Sequence, residues 1–284
     1  MPLTGIDPDV AGAVPAMALG WRLPHELVQH VLDFFPQHVQ VASSSGRGTV
    51  VIWSSRSNAP LQVLREPNSR VVDTKFLPGG NRLVTATESG DVVIWDTVAG
   101  KAVRMLRGHG PEEEVLEVQV FPDGDRLVTL GSDGLALLWS AASGEVLQRF
   151  DQNGYSDDCH RHVRVLPGGG RIVTGISFFR DSGAIIWNVS TGLALHRIHH
   201  GNTPARFVEM SPDGSRLVTT DAQDAWLWRS ADGEMDGQLF GGHEGWINGV
   251  AFADRGNKVV ASCSDWHATI WDIHTGGRQM LEMK

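Results

Sequence analysis

Six of the ten tryptophans in this chain close the same kind of apolar run: VVIW at Trp53, VVIW at Trp95, ALLW at Trp139, AIIW at Trp187, AWLW at Trp228 and ATIW at Trp271. Their spacings are 42, 44, 48, 41 and 43 residues. A period of roughly 40–45 residues marks a repeat architecture and constrains the fold more than any local propensity does.

The unit from His109 to Phe150 shows the grammar. Val115 to Val120 reads as a strand. Pro122-Asp123-Gly124 reads as a turn, with proline setting φ and glycine accepting a positive φ. Arg126 to Leu130 is a second strand, Ser132-Asp133-Gly134 a hairpin turn and Leu135 to Trp139 a third strand. Ser143-Gly144 turns again before a fourth strand from Glu145 to Phe150. The same order recurs from Phe76, Val165, Met210 and Phe252. In the most degraded unit, the first, His25-Glu26 to Phe34 matches the layout of His243-Glu244 to Phe252 and reads as the first strand. Second and third strands are near-continuous apolar runs, as strands buried on both faces are. A four-stranded sheet cannot cover both its faces alone; radial stacking of such sheets does.

The Trp95-Asp96 and Trp271-Asp272 dipeptides, the Gly108-His109 and Gly242-His243 dipeptides and the six equal units resemble the WD-repeat (WD40) family of β-propellers over residues 21–284. The resemblance implies an all-β propeller with six four-stranded blades, and leaves a ring of seven or an incomplete ring open. Residues 1–20 read as an N-terminal extension. Strand-like Ala13 to Gly20 is a candidate to join the last blade, where Gly277 to Met283 competes for the same place.

His, Ser/Thr and Asp recur in each well-kept unit and invite a hydrolase triad. Repetition speaks against that, because an enzyme needs one site. The resemblance instead makes the set a buried hydrogen-bond chain with the tryptophan N–H, which satisfies polar groups inside the blade. Two units carry all four members: His109, Thr129, Asp133, Trp139 and His243, Ser262, Asp265, Trp271. Others depart from the pattern. Ser89 stands at the aspartate place beside Thr85 and Trp95, Arg47 stands there in the first unit, and the fourth has Thr174, Asp181 and Trp187 without a clear histidine. These blades are expected to be softer.

Asp157, His160, His162, His199 and His200 resemble a metal cluster by composition, yet their spacing matches no standard zinc motif, and a polar loop is the simpler reading. Gly168-Gly169-Gly170 lacks the Lys-Ser/Thr of a phosphate loop and stands where neighbouring units have a hairpin turn. No cofactor is implied. Leu23 to Leu32 resembles the opening of an F-box, but the chain then runs into two strands.

Loops on a rigid β scaffold carry binding. In the resembled family the loops before first strands, and those between second and third strands, form the usual partner-binding face. Trp246 precedes a first strand, and Trp266 lies in the following second-to-third-strand turn, where Asp or Gly is usual. The longer hairpin of the fourth unit offers Phe178, Phe179 and Arg180, and Trp21 precedes the first unit. Aromatics and arginine are common interface anchors. Trp226 reads as core. The run Glu112-Glu113-Glu114 lies in a loop of the same type; its default is a solvated run, and beside aromatic anchors it would favour a basic peptide.

The 284 residues, 41% apolar and 20% charged, suit a large folded core rather than disorder. No stretch approaches the roughly 18 apolar residues of a membrane helix. Asp7 and Asp9 fall where a secretory signal would be apolar. Cys159 and Cys263 make no disulfide framework, so a reducing, cytoplasmic or nuclear compartment is expected. With 24 basic and 33 acidic residues the net charge is −9, which disfavours duplex DNA and anionic membranes as partners. The expected function is a non-enzymatic scaffold binding proteins or peptides, as a monomeric subunit of a hetero-complex. The alternatives are a substrate-recognition subunit of a ubiquitin ligase and, behind it, a metal-binding or enzymatic propeller.

Overall fold

Short hairpins follow one another through the chain. The computed structural model describes residues 16–19, 40–45, 48–54, 57–66, 69–110, 113–151, 162–176, 182–201, 205–239 and 245–282. The chain divides into two units, Met1–Arg149 and Phe150–Lys284.

In the first unit, β1 (Ala16–Leu19), β2 (Gln40–Ser44), β3 (Thr49–Ser54) and β4 (Ser57–Arg65) make one four-stranded sheet. A second consists of β5 (Val71–Phe76), β6 (Arg82–Thr87), β7 (Val92–Asp96) and β8 (Lys101–Leu106). The third consists of β9 (Val115–Val120), β10 (Arg126–Gly131), β11 (Ala136–Ser140) and β12 (Val146–Phe150), whose last residue opens the second unit. The second unit holds a fourth sheet of β13 (Val163–Val165), β14 (Arg171–Ile176), β15 (Ser182–Asn188) and β16 (Ala194–Gly201). Its fifth is β17 (Phe207–Met210), β18 (Arg216–Thr220), β19 (Ala225–Arg229) and β20 (Met235–Leu239). Its sixth is β21 (Ile247–Ala253), β22 (Lys258–Cys263), β23 (His267–Asp272) and β24 (Arg278–Glu282). In each sheet the strands are hydrogen-bonded in chain order.

Turn chemistry explains that order. Gly124, at φ +73°, closes its N–H on the Phe121 carbonyl at 2.9 Å. Asp123 Oδ1 accepts the N–H groups of Asp125 and Arg126. The chain therefore reverses within a few residues and β10 pairs antiparallel with β9.

The first sheet differs. Ala16–Leu19 runs parallel to β2 and holds the first-strand place of this sheet. The sequence points to residues 25–34 for that place, which lie outside the described residues, and to the last blade for residues 13–20, of which Ala16–Leu19 pairs instead with β2. In the sixth sheet the fourth strand is β24, from the competing segment near the C-terminus.

The core lies between successive sheets. Val84, Val92, Ile94 and Leu106 of the second sheet pack with Val115, Val118, Leu127, Leu137 and Trp139 of the third. In the second unit, Val173, Ala184 and Ile186 pack with Val208, Leu217, Trp226 and Trp228, so Trp226 is core. Val218 and Leu227 pack with Ile247, Val259 and Trp271. Fully burying one such side chain is worth about 1.5–3 kcal/mol. Polar ties join the same neighbours. Asp73 Oδ2 accepts the Val118 N–H at 3.1 Å, linking β5 to β9. Burial pushes the Asp73 carboxyl up, against the pull of Lys75. Arg164 grips Glu209 with two nitrogens, linking β13 to β17.

Candidate functional site

The third sheet assembles its polar residues into one chain. Trp139 Nε1 donates to Thr129 Oγ1 at 2.8 Å, and that hydroxyl lies 2.7 Å from His109 Nε2. His109 Nδ1 is 3.0 Å from Asp133 Oδ2. With Nδ1–H given to the carboxylate, Nε2 is left to accept the Thr129 proton. Burial works to raise the Asp133 carboxyl, but the hydrogen bonds from His109 and from the Leu135 and Gly110 N–H groups more than offset it and hold it below the usual carboxylate range. A Cβ at Gly131 would run into the His109 ring and the Asp133 carboxylate, so glycine lets the chain close.

The same indole–hydroxyl bond recurs as Trp53–Ser43, Trp95–Thr85, Trp187–Thr174 and Trp228–Thr219, each at 2.9 Å. In the second sheet the place of the histidine is taken by Glu66, whose Oε1 accepts the Thr85 hydroxyl at 2.8 Å. Sequence reasoning missed Glu66, because nothing in its local motif marks it. Its signal is its place in the loop before a first strand, as for His109. Ser89 Oγ contacts Thr87 Oγ1 instead.

In the sixth sheet, Asp265 is held as Asp133 is. It accepts the Gly245 and His267 N–H groups at 3.4 and 3.0 Å, as Asp133 accepts those of Gly110 and Leu135 at the same distances. Ser262 lies on β22 and Trp271 on β23. His243 falls outside the described residues.

That equivalence fixes the turn before β23. Gly90 and Gly134 stand three residues after Thr87 and Gly131, at φ +83° and +73°. Trp266 stands three residues after Cys263, at φ +64°. A bulky residue in this left-handed region is an outlier. Its side chain gains little in return, being 75% exposed. Trp246 is 61% exposed and lies against the same turn: its N–H donates to Ser264 Oγ at 2.8 Å and its carbonyl accepts the Ser264 N–H at 2.9 Å. The guanidinium of Arg206, just before β17 of the neighbouring sheet, sits 5.2 Å above the Trp246 ring centre. The Arg206 backbone is pinned on both sides. Its N–H donates to the Thr220 carbonyl at 2.7 Å, and its carbonyl accepts from His162 Nε2 at 2.6 Å. Two exposed indoles and a stacked cation thus share one loop end of the second unit. Arg206 was not singled out in the sequence, since its stack crosses between sheets.

Glu113 and Glu114 belong to the first unit. Glu113 Oε2 accepts the Ser132 hydroxyl at 2.6 Å. Burial and the Glu88 charge raise the Glu114 carboxyl, with Arg70 opposing. Glu112, Trp21, Phe178, Phe179, Arg180, Asp157, His160 and the segment Leu23–Leu32 lie outside the described residues. His162 is engaged with Arg206 and stacks on Phe207 at 5.3 Å. Among the described residues no three His, Cys, Asp or Glu side chains converge on a point that could hold a metal.

Six four-stranded sheets, each with an apolar third strand ending in tryptophan, are blades of the β-propeller fold. The family described as WD domain, G-beta repeat, matches residues 58–96, 100–140 and 236–272. Each match takes the fourth strand of one sheet with the first three of the next, so the sequence repeat is offset by one strand from the sheets. Three WD repeats are thus recognised in the chain. It is 22% identical to a guanine nucleotide-binding protein subunit beta of Nicotiana tabacum over 274 residues, 89% of this chain and 70% of that one. Shorter stretches match cilia- and flagella-associated protein 251 of Chlamydomonas reinhardtii (34% over 79 residues, 24% of this chain and 10% of that one). Periodic tryptophan protein 2 of Arabidopsis thaliana matches similarly (33% over 85 residues, 30% and 9%).

Proposed function

We propose that this chain is a non-enzymatic scaffold that binds protein or peptide partners within a multiprotein complex, and that it does so through the Trp246–Trp266 end of the sixth sheet. The WD repeats and relatives named as subunits of a larger protein support the general role. The observation that carries the choice of face is Trp266. An indole stands exposed at a backbone position where the equivalent turns of the second and third sheets use glycine. Its conformation works against folding by about 1–2 kcal/mol, and a strained, exposed aromatic is a pointer to function. Cys263 is a free, buried thiol, pushed up to about 11 by burial. A narrower role in a ubiquitin ligase rests on Leu23–Leu32 alone and is tested by whether the intact N-terminus retains a ligase component.

The test is affinity purification from the source cells with quantitative mass spectrometry, comparing wild type with Trp266→Gly. Glycine restores the usual turn residue, so the variant keeps or raises its melting temperature. Partners lost from this well-folded variant support the face. An unchanged partner set overturns it.

A further inference from the structure

We propose that the Trp246–Trp266 face takes an extended acidic peptide, in which a carboxylate side chain pairs with Arg206 and a neighbouring apolar side chain packs on the exposed indoles. This rests on the face proposed above and adds the chemistry of the occupant.

Arg206 carries the choice. Its guanidinium lies over the Trp246 ring, and among the described residues no carboxylate or carbonyl accepts from it. Elsewhere in the same unit, Arg164, Arg216 and Arg229 are each paired with a carboxylate, Glu209, Asp236 and Asp232. A guanidinium lying over an indole retains N–H groups that can meet a carboxylate with two bonds. The backbone of Arg206 is fixed through Thr220 and His162, so little ordering is required when an anion arrives.

The same stack argues against a basic partner. A lysine or arginine packing on Trp246 would bring a second positive charge beside Arg206, whereas a carboxylate is attracted to it. Among the described residues, Asp265 and Asp221 of the adjoining turns are engaged with backbone N–H groups. Asp265 accepts the Gly245 and His267 N–H groups. Asp221 accepts the N–H groups of Gln223 and Asp224 in its own turn. The charge of the partner is therefore opposite to the one suggested by the acidic run in the first unit.

The probe is an immobilised peptide library whose central position is Asp/Glu, phosphoserine, Lys/Arg or Ala, flanked by varied apolar residues. The full-length chain is compared with Arg206→Ala, Arg206→Lys and Trp266→Gly. The expected result is enrichment of Asp/Glu peptides with an apolar neighbour. Affinity falls about tenfold or more in Arg206→Ala, the size of a charge-assisted pair. Arg206→Lys is only partly competent, because an ammonium cannot stack and fork at once, and added salt weakens the wild type. Enrichment of Lys/Arg peptides lost in Trp266→Gly would overturn the acidic occupant and leave the face standing. A phosphoserine consensus that depends on Arg206 would overturn the carboxylate assignment. Selection indifferent to both Arg206 and Trp266, or none at all, would overturn both proposals.

Discussion

Glu66 and His109 do the same structural task with different chemistry. Each holds the threonine that accepts the tryptophan N–H of its sheet. The carboxylate is the worse choice at neutral pH. Burial raises its pKa, and the Thr85 hydrogen bond only partly counters this. A raised folded-state value means that its contribution is fully present below the unfolded pKa and is lost as pH rises through the folded one. Glu66→Gln keeps an acceptor for Thr85 and removes the charge. Its melting temperature is expected to match or exceed wild type near pH 7, with the difference shrinking toward pH 4; an advantage that grows on acidification would refute this. Asp133→Ala, which strips His109 of its partner, is expected to destabilise by about 1–3 kcal/mol in chemical denaturation. Trp266→Gly moves the other way, gaining up to about 1 kcal/mol by relieving the left-handed tryptophan, less the extra freedom glycine has when unfolded. Trp266 was legible beforehand, because aligned turns show Gly90 and Gly134 at its place. Glu66 and Arg206 were not, since each acts through a contact made only in the fold.

At the scale of the strand, position in the sheet sets the environment. In the second, third and fifth sheets the second and third strands are buried almost throughout, as in β10 and β11. Fourth strands have one hydrogen-bonded neighbour and are largely exposed, leaving Val103, Met105, Leu147 and Met280 at the surface. Amide exchange should follow this order, with β10 and β11 exchanging about tenfold or more slowly than β12; equal rates would contradict it. A register shift falls beside the tryptophan in the first, second, fourth and fifth sheets, and none separates β23 from β24. Such bulges increase local twist. The hairpins were readable from Pro-Asp-Gly and Ser-Asp-Gly alone. The parallel β1–β2 pair was not, because four residues carry no period.

For the whole molecule, one period of tryptophans was enough to anticipate six sheets, since each unit repeats the same turn chemistry. The low identity to the tobacco relative, 22%, fits a fold maintained by apolar patterning rather than by particular surface residues. Function is written in what breaks the repeat. If an acidic peptide occupies the Trp246–Trp266 face, then at about 100 times its Kd it adds about 2.7 kcal/mol to stability. The melting temperature of wild type then rises while that of Trp266→Gly stays put, and equal shifts in both would place binding elsewhere.

Among the described residues the indoles also include two optical populations. Trp95, Trp139, Trp187 and Trp228 are enclosed and hydrogen-bonded, while Trp246 and Trp266 stand in water. A small quencher such as acrylamide reaches the second group and spares the first. Ligand occupancy and unfolding can thus be followed separately in the native chain, one as protection from quenching and the other as a red shift of the enclosed emitters, without any attached dye.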